Sequence, residues 1–431
     1  MNTVSLSLPT HLRHRLAERT LTVTGPDGAP LADTDVVVEQ TRHEFAFGNI
    51  AFDFVPLANG ETSNAGSLFG GARPQAAAQL VEPFFDLFNF ATLPFYWGSF
   101  EPEEGHPQTR RLANTARWVR EHGAVVKGHP LAWHTVAPKW LLGRSLEETE
   151  RLLRDRITRE VTDFRGLVDM WDAINEVVIM PVFTAEDNAI TPLARKLGRV
   201  GIVKLAFETA RAANPDVFLL LNDFNMSPKY EQLIEDCLEA GIKIDALGLQ
   251  SHMHQGYWGE ERTLEVLERF SRFGLPIHFT ESTLLSGHLM PPEIVDLNDY
   301  QVPSWPSTPE GEERQADEIR RHYTTLVSHP AVEAITYWGM SDDGAWLGAP
   351  VGFARADGTL KPSYAALHDL VKGEWWTSAT TVRTDAAGRF DLTGFRGTYR
   401  VSAVGLSGDV VLDAASSGTE AAVALRGGCA D

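Results

Sequence analysis

Cysteine is almost missing from this chain. Only Cys237 and Cys429 occur, and two such distant residues draw neither a disulfide framework nor a zinc-ligand spacing. Long apolar runs are missing too: no stretch reaches the roughly 18 apolar residues that a membrane-spanning helix needs. The N-terminal stretch carries Arg13 and Arg15 but no apolar signal-peptide core, so the expectation is a cytoplasmic protein. Positive charge is in deficit, with 38 Lys and Arg against 58 Asp and Glu and a net charge of −20. That balance excludes binding driven by phosphate neutralisation or by anionic membranes. It leaves a neutral partner, such as a sugar, open.

The remainder reads as a folded globular protein, 43% hydrophobic and 22% charged. At 431 residues the chain exceeds one small domain and suits a barrel of about 250 residues or more with an accessory module. Eleven Trp is a high count, to be divided between core packing and flat faces for sugar rings.

Eight short apolar runs recur near 44–50, 88–93, 124–128, 170–175, 217–222, 246–250, 277–280 and 334–338. Helical patterns lie between them at 110–122, 146–164, 192–213, 229–240, 264–273 and 312–328. Strand–helix alternation implies a parallel sheet, and eight repeats imply closure into a (β/α)8 TIM barrel. The expected barrel covers 43–376. Residues 1–19 read as an N-terminal extension. Segments 20–42 and 377–428 read as short strands punctuated by turns, and are expected to form one small β-sandwich from both chain ends. Two loops stand out. One is the proline-rich 282–309, expected as a lid or subsite wall; the other is the glycine-rich 60–71, expected to be flexible.

Two glutamates end strand-like runs. Glu176 closes Trp171-Asp172-Ala173-Ile174-Asn175-Glu176 and Glu281 closes Ile277-His278-Phe279-Thr280-Glu281. In a parallel barrel, groups at the C-terminal strand ends face one cleft. Two carboxylates across a cleft are the minimal machinery for breaking a glycosidic bond, and Asn175 is placed to hold a sugar hydroxyl. On strands four and seven the pair would sit on opposite sides of the ring. A metal-dependent hydrolase built on His129, His134, His252, His254 and Asp223 is an alternative, as is a non-catalytic sugar-binding barrel.

Six segments, in order, resemble glycoside hydrolase family 10, the retaining β-xylanase family: Gly128-His129-Pro130-Leu131-Ala132-Trp133-His134, the Glu176 segment, Leu221-Asn222-Asp223-Phe224-Asn225, Gly248-Leu249-Gln250-Ser251-His252, Phe279-Thr280-Glu281, and Tyr337-Trp338-Gly339-Met340-Ser341-Asp342 with Trp346. The resemblance implies Glu176 as general acid/base and Glu281 as nucleophile. It implies His129, Trp133, Asn175, Gln250, Trp338 and Trp346 as walls of the sugar site, and His252 as the group that orients Glu281. It implies an oligosaccharide or glycoside partner, and no metal or other cofactor. The segment from Thr384 to Val401 resembles transthyretin-like or carboxypeptidase-regulatory-like sandwich modules.

Two departures bear on substrate. After the second strand the family carries Glu-Asn, then a Lys and a Trp, which grip the sugars; this chain has Thr92 and Leu93, then Tyr96 and Trp97. Where the family has an Asp two residues past the nucleophile, this chain has Thr283. Tyr96 and Trp97 are therefore candidate substrate-binding residues of a rebuilt clamp. The expected activity is retaining hydrolysis of xylan-derived oligosaccharides or related β-glycosides. An exo-acting or disaccharide-releasing glycosidase on a non-xylan glycoside is the alternative.

Overall fold

The computed structural model describes residues 3–4, 10–63 and 72–427. The greater part of the glycine-rich 60–71 stretch, together with Cys429, lies outside the described residues. The chain divides into two compact units, one of residues 47–326 and 331–364, the other of 1–46, 327–330 and 365–431.

The larger unit is built on a closed barrel of eight parallel strands in sequential order. They are Ala46–Ile50, Phe90–Pro94, Val125–His129, Met170–Asn175, Phe218–Asp223, Ala246–Met253, Ile277–Leu284 and Val332–Tyr337, numbered one to eight below. Strands buried on both faces need continuous apolar runs rather than alternation. Strand five (Phe-Leu-Leu-Leu-Asn-Asp) shows this, with every residue after Phe218 buried.

The covering helices start where capping chemistry allows. Helix Leu146–Asp163 is preceded by Ser145, whose hydroxyl accepts from the Glu148 N–H at 3.1 Å. Helix Pro228–Glu239 combines a Ser227 cap with Pro at its first position. Helix Ile190–Ala213 is broken internally by Gly198, which adopts φ 73°.

Strands six and seven run past their sequence-expected ends at 250 and 280, to Met253 and Leu284. Polar residues there are held by neighbouring strands, with Glu281 beside Gln250 and Thr283 beside His252 in register. The expected lid at 282–309 contains a small core of its own. Leu285, Met290 and Trp305 pack with Ala349 and Val351 from the segment after strand eight. Trp305 Nε1 donates to the His288 carbonyl at 2.8 Å, and Lys361 Nζ joins Ser286 Oγ (2.8 Å) to Asp342 Oδ1 (2.7 Å).

The smaller unit contains two sheets. One orders Thr3–Val4, Arg389–Phe395, Leu16–Thr24 and Thr419–Ala424; the other orders Thr380–Arg383, Asp35–His43, Gly397–Ala403, Leu406–Leu412 and Arg426–Gly427. Both chain ends supply strands to each sheet. Leu21, Val23, Val36, Val38, Phe390, Leu392, Tyr399 and Val401 form their common core. The first long strand starts at Leu16, inside the expected extension; Ala17, Leu21 and Val23 carry its inward face, and Arg19 at the inward position between them hides that alternation in the sequence.

Candidate active site

The site is laid down at the C-terminal ends of strands three to seven. Gly128, in strand three, leaves room for the fully buried Trp171; a Cβ there would lie 2.2 Å from the indole. Next to Trp171, the buried Asp172 accepts through Oδ2 from Lys127 Nζ and pairs with His129 Nδ1, both at 2.7 Å. The opposite nitrogen, His129 Nε2, lies 4.0 Å from Glu281 Oε1. A carboxylate behind an imidazole fixes the ring's orientation.

Glu176 follows strand four with a left-handed φ of 59°, and its N–H donates to the Asn222 carbonyl at 2.9 Å. Such a conformation costs a non-glycine residue on the order of 1–2 kcal/mol. Its carboxyl Oε2 accepts from Trp133 Nε1 at 2.9 Å, and Oε1 accepts from Asn175 Nδ2 at 3.2 Å and Gln250 Nε2 at 3.3 Å. His134 Nε2 stands 4.0 Å from Oε2. Burial, followed by the negative charges of Glu281 and Asp223, pushes the Glu176 carboxyl up to about 8.

Glu281 lies within strand seven. Its Oε1 accepts from Asn222 Nδ2 at 2.9 Å, and its Oε2 meets His252 Nε2 at 3.1 Å. Burial disfavours its charge, but His129 and the bond to His252 outweigh that and hold its carboxyl below the usual carboxylate range. Two neighbouring carboxyls are thus pushed in opposite directions, the condition under which one stays protonated while the other stays ionised.

Strands four and seven are three steps apart in the ring, with strands five and six between them. Asn222 of strand five makes the bridge. Its Nδ2 also donates to Asn175 Oδ1 at 2.7 Å, and its Oδ1 accepts from Thr280 Oγ1 at 2.5 Å. Gln250 Nε2 donates to the same Asn175 oxygen at 3.0 Å. Two donors on Asn175 Oδ1 leave its amide NH2 directed at Glu176. Gly248 makes the bridge possible, since a Cβ there would sit 2.4 Å from Asn222 Oδ1.

Sequence reasoning assigned no role to Asn222, Asp172 or Lys127. The signal available was a buried-type polar residue inside an apolar strand run. Asp223 accepts from the Val178 and Asn225 N–H groups at 2.9 and 3.0 Å, and burial pushes it up to about 7. It thus anchors the turn after Glu176. Among the described residues no three His, Cys, Asp or Glu are grouped as metal ligands.

The aromatic candidates separate. Tyr96 is buried, with its ring edge-on to His129 at 5.5 Å and tilted against Trp133 at 5.7 Å. Burial first, then the charges of Glu281 and Glu176, push its phenol well above the ordinary value. Trp338 lies edge-on to His129 at 5.1 Å, and Trp346 lies 5.0 Å from the His252 ring. Trp97 turns elsewhere. Its Nε1 donates to Glu101 Oε2 at 3.0 Å, Arg156 covers its ring at 5.1 Å, and Trp140 stands edge-on at 5.7 Å. Thr283 accepts the Met253 N–H at 3.2 Å, and its hydroxyl lies 3.4 Å from His252 Nδ1 and 3.5 Å from His254 Nδ1.

Comparison with known proteins gives a consistent neighbourhood. The sequence model of glycosyl hydrolase family 10 matches residues 90–370. Endo-1,4-beta-xylanase B of Thermotoga neapolitana is 29% identical over 290 residues, covering 64% of this chain and 78% of that protein. Endo-1,4-beta-xylanase A of Xylanibacter ruminicola is 28% identical over 279 residues, covering 58% and 72%. Among solved structures, xylanase 10B from Thermotoga petrophila in complex with xylobiose aligns with a TM-score of 0.59 at 22% identity, over 76% of this chain and 94% of that one. The family 10 structure from Paenibacillus barcinonensis aligns with a TM-score of 0.61 at 23% identity, over 76% and 95%. At these identities the structural likeness concerns the fold.

Proposed function

The chain belongs to glycosyl hydrolase family 10, and on that premise we propose that it hydrolyses β-linked xylan-derived oligosaccharides by a retaining double displacement on Glu176 and Glu281. The supporting observation is the geometry of the pair: Asn222 Nδ2 donates to both Glu281 Oε1 and Asn175 Oδ1, while Asn175 and Trp133 donate to Glu176, so two buried carboxyls in different settings share one network.

In the first step the Glu281 carboxylate attacks the anomeric carbon while Glu176 gives its proton to the glycosidic oxygen. The C–O bond breaks, the leaving sugar departs neutral, and a glycosyl ester forms on Glu281. Loss of its proton leaves Glu176 a carboxylate. It then takes a proton from water as that water attacks the same carbon, which frees Glu281 and restores both groups. Trp133, Asn175 and Gln250 donate to Glu176 and so steady the charge it carries between the steps. His129, Trp338 and Trp346 surround the place where the reacting sugar would sit, the indoles offering flat apolar faces. The relatives named as xylanases support xylose-based substrates.

The test is turnover of aryl β-glycosides and xylo-oligosaccharides by the full chain and by Glu281→Ala, with the first-formed anomer read by NMR. Retained configuration, lost in the variant, is the expected result. An inverted product, or no cleavage across xylosides, glucosides and arabinosides, would overturn the reading.

A further inference from the structure

His252 lies near the end of strand six and His254 just past it, two residues apart and so on one face. Thr283 of strand seven stands beside His252 in register and reaches both rings. Its Oγ1 lies 3.4 Å from His252 Nδ1 and 3.5 Å from His254 Nδ1. The far nitrogen of His252, Nε2, lies 3.1 Å from Glu281 Oε2. One hydroxyl therefore connects the imidazole that touches the nucleophile to a second imidazole behind it.

The hydrogens along this chain of contacts can be counted. A hydroxyl has two lone pairs and one hydrogen. One lone pair takes the Met253 N–H at 3.2 Å, and a backbone N–H can only donate. One lone pair and one hydrogen remain for two ring nitrogens, so one ring gives and the other receives. His254 decides which. It is 1% exposed, and burial pushes its ring down to about 3, so it stays neutral with a single N–H. Its Nε2 has no hydrogen-bond partner among the described residues. A buried N–H without an acceptor is costlier than an unfilled lone pair, which puts the His254 proton on Nδ1, facing Thr283. The Thr283 hydrogen then belongs to His252 Nδ1, and the His252 proton to Nε2. The other end of the chain requires the same answer, because an ionised carboxylate only accepts.

We infer that Thr283 and His254 are positioning residues for the nucleophile: together they hold the His252 proton on Nε2, so that the ring meets Glu281 as a hydrogen-bond donor. This rests on the hydrolase reading given above. The donor matters most when the glycosyl ester breaks, since negative charge then returns to the Glu281 carboxyl. Without the Thr283 hydroxyl, the ring is free to carry its proton on Nδ1 and to turn a lone pair toward the carboxylate, setting two acceptors face to face.

The test reads the His252 ring by nitrogen NMR of the full chain carrying isotope-labelled histidine, with His252→Gln to assign its signals, alongside kcat and KM on activated aryl β-glycosides. In wild type the ring-nitrogen shifts should show Nε2 protonated and Nδ1 bare. Thr283→Val, of similar shape but without the hydroxyl, should mix the tautomers and lower kcat about 10- to 100-fold with KM within a few-fold. Thr283→Ser, which keeps the hydroxyl, should retain the wild-type tautomer and most of kcat. A wild-type ring protonated on Nδ1, or on both nitrogens, overturns the inference and leaves the hydrolase reading standing. So does a Thr283→Val enzyme with wild-type kcat. A wild-type protein that cleaves no glycoside overturns the hydrolase reading and the inference with it, whatever the tautomer.

Discussion

The Trp133 indole supplies the shortest hydrogen bond to the Glu176 carboxyl, at 2.9 Å on a side chain only 15% exposed. Donation of this kind favours the ionised form, so it works against the burial that raises this acid. A hydrogen bond to a charged group is worth about 1.5–3 kcal/mol, and one pKa unit corresponds to 1.36 kcal/mol. Two other donors, Asn175 and Gln250, remain and take up part of the loss. Trp133→Phe, which keeps an aromatic face but no N–H, should therefore raise the Glu176 pKa by about one unit. The assay is kcat/KM against pH on an unactivated xylo-oligosaccharide, whose leaving group needs the proton. The basic limb, set by Glu176 at about 8, should move to higher pH. Its position reports the carboxyl, whereas its height also reports lost sugar contacts, so the two effects separate. A limb that stays in place or moves down would refute the assignment of this bond to the catalytic acid.

Three further outcomes follow from the same contacts. Asn222 is fully buried, so Asn222→Ala should lower kcat by about 10²–10³-fold through loss of its bond to Glu281 while leaving KM within a few-fold; a change confined to KM would contradict this. Glu176 has a folded pKa raised above its unfolded value near 4.5, so its contribution to stability is full below about 4.5 and is lost as pH rises through about 8. Glu176→Gln should therefore gain stability relative to wild type between pH 5 and 9, by roughly 2–4 kcal/mol, and a melting-temperature difference independent of pH would count against it. Thr283→Val removes the hydroxyl that accepts the Met253 N–H and should cost about 0.5–1.5 kcal/mol by denaturant unfolding; an unchanged midpoint would show that the bond carries no stability.

The eight barrel strands were legible because strands buried on both faces must be continuous apolar runs, and each such run is bounded by turn residues. Their full lengths were not. Ser282-Thr283 and Ser251-His252 fall past the apolar runs by their polarity, yet they are strand because neighbouring strands satisfy their backbone. The two glutamates were legible from their place at strand ends and from a family resemblance that six segments carried together. The Asn222 bridge was not, since it depends on the space that Gly248 leaves one strand away. Trp97 followed Tyr96 in sequence and was expected to share its cleft. A single helical turn, Trp97–Phe100, carries it instead to Glu101 and Arg156. Periodicity reports which residues are buried; it does not report which way a loop residue turns after a strand has ended.

The central claim is that Glu281 forms a covalent bond to the sugar. An activated aryl 2-deoxy-2-fluoro-β-xyloside slows the second step more than the first, so the ester should accumulate. Intact mass spectrometry should show the protein gaining one fluoroxylosyl group, peptide mapping should place it on Glu281, and Glu281→Gln should take up none. Continued turnover with no adduct, or an adduct on another residue, would contradict the account.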